Sequence, residues 1–259
     1  GSGSGSSGGS GSGSGSGEVW SLDLHDYKIN SIQQHPTDEN YIVTASSTRQ
    51  GCISIHDIRM LKKSQKSLKS LKSQTDTIHP IVSINPHNYS INAANISPNG
   101  KNLVTVSQDS TIKVWQDFMK LTNSNSSGNS NSNTNTNTKS MEVEVGVRVD
   151  PVKTPPHHSI KHDNTTGRWL STFRPVFDMK MTNSSVFMVG SMEQPRKIDI
   201  FMISSSTGTS TGSGSDVPIV TNKKLRSDYM NSVCSRNSFH PYSNIIAGGN
   251  SSGRVHIFR

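Results

Sequence analysis

Apolar and polar positions alternate in short runs along most of the chain, and the runs recur in one order. Between 91 and 116 the sequence reads I-N-A-A-N-I-S-P-N-G-K-N-L-V-T-V-S-Q-D-S-T-I-K-V-W-Q. The pattern predicts a strand over Ile91–Ile96 and a turn at Ser97-Pro98-Asn99-Gly100, where Pro presets φ and Gly tolerates positive φ. A strand over Leu103–Ser107 follows, then a turn at Asp109-Ser110 and an alternating strand into Trp115. The last segment repeats this order: Val233–Phe239, His240-Pro241, Ile245–Gly249, Val255–Phe258. Ser97 to Trp115 and His240 to Phe258 are both 18 positions apart. The first segment matches with a three-residue insertion at Thr48-Arg49-Gln50: Ile29–Gln34, His35-Pro36, Tyr41–Ser46, Cys52–Asp57. The third is the most diverged: Phe173–Phe177, Val186–Gly190, Lys197–Phe201, with its middle turn lengthened by Glu193-Gln194-Pro195.

A further strand candidate precedes each triplet: Val19–His25, Ile81–Asn85, Ser159–His162 and Pro218–Leu225. Four strands per unit in four units predict an all-β propeller, with repeats at about 18–59, 78–117, 157–203 and 218–259. A sandwich with coincidental β repeats is the competing architecture. Residues 1–17 contain only Gly and Ser, and no Met begins the chain, which reads as a fragment with a flexible leader, natural or added. Two further low-complexity stretches, 122–140 and 204–215, carry too little apolar surface to offset ordering entropy and are expected to be disordered insertions. Uncovered sheet faces at the two sides of an incomplete arc of about four blades are the expected consequence.

Composition narrows the function classes. No apolar run reaches the roughly 20 residues of a membrane span, and no secretory signal is visible. Cys52 and Cys234 sit in strand-like runs and read as reduced core thiols. The histidines lack a nucleophile or paired carboxylate in a recognisable frame, and His157-His158 lacks metal-ligand partners, so neither an enzyme, a cofactor nor a metal site is expected. The net charge of +8 favours a polyanionic partner. Lys62, Lys63, Lys66, Lys69 and Lys72 crowd one connector, either as a solvated run or as sequence-independent phosphate contacts.

The stretch from His157 to Phe177 concentrates the candidate chemistry. It sets Lys161, Arg168 and Arg174 against one acid, Asp163, and places Arg168 and Trp169 directly after Gly167. A cation beside a large ring at an exposed hairpin tip could grip a nucleic-acid backbone and wedge against a base. The alternative makes Trp169 a core residue between two strands. Arg196, Lys197 and Arg254 are additional candidate DNA contacts, with edge-strand or turn solvation as the alternative. His162 reads as a strand-end polar residue.

The units resemble WD repeats, in which a strand ends in Trp-Asp. The corresponding pairs are His56-Asp57, Trp115-Gln116, Phe201-Met202 and Phe258-Arg259, and Asp109 matches the tight-turn Asp that braces neighbouring strands. H-D-N-T-T-G-R-W-L-S-T-F, V-G-S-M-E-Q-P-R-K-I-D-I-F and I-A-G-G-N-S-S-G-R-V-H-I-F are similar to the fungal "changed mutation rate" DNA-damage-binding proteins. These are the fungal counterparts of WD-repeat protein 76 and relatives of the damaged-DNA-binding subunit family. The resemblance implies a seven-bladed propeller in the intact family member, nuclear residence, and binding to DNA with a preference for ultraviolet-damaged sites. Duplex is the expected partner, with single strands as a second form. In the damaged-DNA-binding relatives a hairpin wedges into the duplex, and the alignment puts Gly167, Arg168 and Trp169 at that tip, with residue types that differ.

A second function class is a protein-interaction scaffold. Asp57-Ile58-Arg59 resembles the Asp-x-Arg element of WD-repeat substrate receptors for cullin-type ubiquitin ligases, in which the Arg anchors an adaptor through charge-assisted bonds. A local Asp–Arg pair after a strand is the alternative. Chromatin proteins are further expected partners.

Overall fold

The structure, a computed structural model, describes residues 24–48, 50–61, 79–124, 155–181, 185–204 and 219–259. Residues 19–23 of the strand candidate at Val19–His25, the lysine connector and most of the low-complexity stretches fall outside these residues. The described residues form four antiparallel sheets. The first comprises β1 (Ile29–Gln34), β2 (Tyr41–Ser46), β3 (Ile53–Asp57) and β4 (Val82–Ile84). The second comprises β5 (Ile91–Ile96), β6 (Leu103–Ser107), β7 (Thr111–Trp115) and β8 (His158–Lys161). The third comprises β9 (Val176–Phe177), β10 (Ser185–Gly190), β11 (Ile198–Ser204) and β12 (Ile219–Leu225). The fourth has three strands, β13 (Cys234–Phe239), β14 (Ile246–Asn250) and β15 (Val255–Phe258).

The sheets run one strand out of phase with the repeats read along the sequence. The segment written ahead of the second triplet pairs backwards, Ile53 opposite Ile84, and completes the first sheet as β4. Likewise β8 completes the second sheet, with Ile112 opposite Ile160, and β12 completes the third, with Ile200 opposite Lys223. The second, third and fourth sequence units therefore each lend a strand to the preceding sheet and tie consecutive sheets together.

Packing between consecutive sheets makes the core. Val43, Ile53, Ile55 and Val82 meet Ile91, Ile96, Leu103 and Trp115 between the first and second sheets. Val104, Val106, Ile112 and Val114 meet Phe173, Phe187, Phe201 and Ile203 between the second and third. Met188 and Ile198 pack with Cys234 and Phe239 between the third and fourth. Every such side chain contributes roughly 1.5–3 kcal/mol by leaving water. The burial pattern follows the neighbours: β3 and β6, covered on both faces, are buried at every position, whereas β13 and β15 alternate. Val255 and Ile257 of the fourth sheet, and Ile29 and Ile32 of the first, are exposed.

The turn at Ser97–Gly100 forms as its residue types require. Gly100 has φ +73°, and a Cβ there would lie 2.5 Å from the His35 ring. The expected strand Phe173–Phe177 shrinks to Val176–Phe177. Pro175 cannot donate to a ladder, and Phe173 is buried between two sheets instead of pairing along an edge. Cys52 and Cys234 are free, and burial raises the Cys234 thiol to about 11.

Candidate nucleic-acid interface

Antiparallel pairing sorts the loops onto two ends. One end gathers the starts of the first strands, the turns between second and third strands, and the finishes of the fourth strands. Lys161, Arg168, Trp169, Arg174, Arg196 and Arg254 all fall there, on three different sheets or their connections. Asp57 ends β3 and Arg59 follows it, so both fall on the other. These are called below the Trp169 end and the Arg59 end.

A polar brace holds the Trp169 end of the second sheet. His87 donates from Nδ1 to Asp109 at 2.8 Å and accepts at Nε2 from the Thr105 hydroxyl at 2.7 Å. The other Asp109 oxygen accepts from the Thr111 amide and hydroxyl at 3.0 and 2.6 Å. Burial pushes the Asp109 carboxyl up, but the bonds from His87 and Thr111 outweigh it and hold the group at about 2. Burial also lowers the pKa of His87, an effect the Asp109 carboxylate only partly offsets. This is the bracing role the repeat resemblance implied for Asp109.

The loop carrying Arg168 and Trp169 connects β8 of the second sheet to β9 of the third. The expected hairpin is therefore an irregular crossover, closed locally by the Leu170 amide on the Gly167 carbonyl at 3.2 Å. Gly167 has no left-handed φ, and a Cβ there would meet nothing within 4 Å, so the turn does not demand glycine. Trp169 is 94% exposed, which excludes the core reading; four residues on, Phe173 is the aromatic that enters the core.

Buried polar groups fix the base of this loop. The His162 ring lies between Asn164 Oδ1 at 2.6 Å and Asp199 Oδ2 at 3.2 Å, and Asn164 Nδ2 donates to the Thr111 carbonyl at 3.0 Å. Lys197 is 3% exposed, bonded to Glu193 and 3.6 Å from Asp199. Its ammonium is already engaged inside the protein, so Lys197 leaves the set of candidate phosphate contacts. Arg196 is half-buried and bonds the Met192 carbonyl. Lys161, Arg168, Arg174 and Arg254 are exposed and form no ion pair among the described residues. His162 is the strand-end polar residue the sequence indicated.

At the Arg59 end, Asp57 and Arg59 form a fork. Arg59 Nε donates to both carboxylate oxygens at 3.0 and 3.1 Å, and Nη2 to one at 2.6 Å. Those bonds hold the Asp57 carboxyl below the usual carboxylate range. The Arg59 side chain remains 58% exposed and stands 5.9 Å from the Tyr41 ring centre.

The sequence reading missed a cavity of about 490 Å³ at the Trp169 end, lined by Lys28, Asn30, Ser90, Asn92, Gln108 and Arg174 among others. Lys28 and Ser90 directly precede β1 and β5, and Arg174 stands just ahead of β9. Superposing the repeats at that offset would have brought them together. No group of three metal-ligating side chains occurs among the described residues, and none of their helices is long and apolar enough to cross a membrane.

Comparison with known proteins fits this architecture. Residues 78–116 match the family described as "WD domain, G-beta repeat". WD repeat-containing protein 76 of Xenopus laevis is 31% identical over 239 residues, covering 92% of this chain and 30% of that protein. DNA damage-binding protein CMR1 of Vanderwaltozyma polyspora is 28% identical over 235 residues, covering 91% of this chain and 34% of that protein. DNA damage-binding protein 2 of Bos taurus is 30% identical over 98 residues, covering 38% of this chain and 19% of that protein. The chain thus spans about a third of the length of the relatives it matches most extensively. The solved Dos1 propeller superposes with a TM-score of 0.52 at 15% identity, over 92% of this chain and 43% of that one, a likeness of fold. Homologous over about nine-tenths of its length to WD repeat-containing protein 76 and CMR1, the chain has the WD-repeat β-propeller fold.

Proposed function

We propose that this is a non-enzymatic, nuclear DNA-binding propeller whose Trp169 end lies against DNA and favours distorted, ultraviolet-damaged sites. The observation that carries the reading is the exposed Arg168–Trp169 pair on an end whose exposed cations Lys161, Arg174 and Arg254 lack acidic partners among the described residues. Two relatives bear the name DNA damage-binding protein, which supports the same direction. Phosphate contacts from Lys161, Arg168, Arg174 and Arg254 supply affinity without sequence preference. An exposed ring stacks most readily where a lesion has already unstacked the step, since part of the deformation cost is absent.

The test is a titration of the protein on intact and irradiated duplex at several salt concentrations. Arg168→Ala weakens both duplexes alike and flattens the salt dependence by about one counterion. Trp169→Ala mainly removes the preference for irradiated DNA. Equal binding of both duplexes by the unaltered protein, or no binding at low salt, defeats the proposal.

A second reading is that of a protein-interaction scaffold or cullin-ligase substrate receptor. The exposed, pre-oriented Arg59 guanidinium favours it, because a fixed fork loses less entropy on docking. The two readings use opposite ends and are compatible. Capture of a cullin adaptor that is lost with Arg59→Ala supports it, and capture indifferent to that change removes it.

A further inference from the structure

The cavity at the Trp169 end is walled by three sheets. Lys28 and Asn30 come from the first, Ser90, Asn92 and Gln108 from the second, and Arg174 from the approach to the third. Two cations and no carboxylate line it. Arg174 makes one long contact, Nη2 to the Asn30 carbonyl at 3.5 Å, leaving most of its donors free. The ammonium of Lys28 has no ion-pair partner among the described residues. Asn92 is 2% exposed, and its Nδ2 lacks any acceptor. The Asn30 amide, by contrast, is engaged by Ser90 Oγ at 3.2 Å and the Ile91 carbonyl at 2.8 Å. A buried donor without an acceptor is costly to leave unmade. The wall thus offers donors and positive charge, and its unmet need is a negatively charged acceptor. Its volume lies in the usual range of small-ligand pockets, roughly 300–1,000 Å³.

We infer that this cavity is an oxyanion pocket receiving a phosphate group of a nucleic-acid strand laid over the Trp169 end. The inference rests in part on the DNA-binding reading above, since Arg174 belongs to the loop that carries Arg168 and Trp169. It adds a specific seat for one phosphate, with Arg174 and Lys28 supplying charge and Asn92 a directed donor. Arg174 satisfies a bidentate oxyanion in a way a point charge does not.

The protein is titrated with inorganic phosphate against chloride at constant ionic strength, then with a short oligonucleotide carrying or lacking a 5′-phosphate. Arg174→Gln and Asn92→Asp weaken phosphate binding about ten-fold or more, the size of one lost charge-assisted bond. Lys120→Gln, at the Arg59 end, leaves it unchanged, and phosphate competes with the phosphorylated oligonucleotide. Arg174 is exposed, so its variant keeps the test valid if Asn92→Asp lowers the melting temperature. Binding of DNA that depends on Arg168 and Trp169 but ignores Arg174→Gln overturns the pocket and leaves the DNA reading standing. Arg174-dependent phosphate binding with no affinity for either oligonucleotide overturns the nucleic-acid strand as the source. Phosphate that fails to saturate over chloride overturns the pocket outright.

Discussion

The same strands build both ends of these sheets, yet the two ends treat charge in opposite ways. At the Arg59 end, Arg59, Lys120 and Lys180 each hold an aspartate, Asp57, Asp117 and Asp178, at 2.6, 2.9 and 2.9 Å. At the Trp169 end, Lys161, Arg168, Arg174 and Arg254 hold none among the described residues, and only the buried Lys197 is neutralised. Exposed ion pairs add little to stability, so the pairing is better understood as setting the surface potential. Three cations at one end are compensated locally, although Lys101 there is exposed and outside any ion pair among the described residues, and that end presents shape and directed donors. The other keeps a field for an external polyanion.

The largest expected effect separates two aromatics in one loop of the Trp169 end. Phe173 is fully buried between the second and third sheets, whereas Trp169 is almost fully exposed. Phe173→Ala costs about 3–5 kcal/mol of stability. Trp169→Ala changes stability by less than about 0.5 kcal/mol and costs about 1–3 kcal/mol of affinity for distorted DNA. Denaturant unfolding of both variants, with DNA titration of the second, reads this directly. A large loss of stability with Trp169→Ala breaks the division of labour.

Acid should loosen the Trp169 end of the second sheet before its other end, and should loosen the first sheet as well. His87 lies on that end, whereas His56 directly precedes Asp57 in β3 and so stands in the first sheet towards the Arg59 end, with the His25 ring centre 5.9 Å away. Burial lowers all three pKa values, taking His56 from 6.5 to about 4, with the neighbouring His25 adding to the shift. A histidine with a depressed folded-state pKa contributes its full stability above the unfolded value. The unfolded chain takes up protons first as pH falls, so stability is lost from about pH 6.5 down to about 4. The His56 shift alone corresponds to about 3 kcal/mol across that window. Amide exchange at pH 7 and pH 5 should show protection falling around residues 87–90 and 107–111. The Ser97–Asn102 turn at the other end should keep its protection longer. Uniform loss at both ends would remove the asymmetry.

Neutralising charge tests the comparison at its surface. Changing Lys161, Arg168, Arg174 and Arg254 together to Gln makes the salt slope of DNA binding shallower by about three to four, with stability near that of the unaltered protein. The matching change of Arg59, Lys120 and Lys180 leaves the slope within error. Equal effects from the two sets would mean that the field is a property of the whole molecule.

The strands were largely legible because period-2 alternation and Pro or Gly turns act locally: β1, β2, β5, β6 and β15 occur with the predicted bounds. The pairing of a leading strand with the preceding sheet was not, because a strand's own residues do not say which neighbour it joins. The failure over Phe173–Pro175 has a local cause, the missing donor of Pro175, that the sequence did contain. At the candidate interface, adjacency located Arg168 and Trp169. The burial of Lys197 could not be read the same way, since its partner Asp199 also faces His162 from the preceding sheet. The cavity escaped because each of its walls contributes only a few residues.

The smallest expected effect concerns Gly167, beside the Arg168–Trp169 pair. It stands at the expected hairpin tip, yet its φ is not left-handed and the space around its Cα is open. An added Cβ strains nothing in the folded state and narrows the conformations available to the unfolded chain. Gly167→Ala therefore stabilises by about 0.4–1 kcal/mol, and affinity for DNA is unchanged or slightly higher because less loop freedom is lost on docking. The competing outcome is informative in a different way. If Gly167→Ala preserves stability but removes the preference for irradiated DNA, the loop must adopt on DNA a backbone that only glycine reaches, and the tip would act by rearranging around Gly167 instead of presenting a preformed ring.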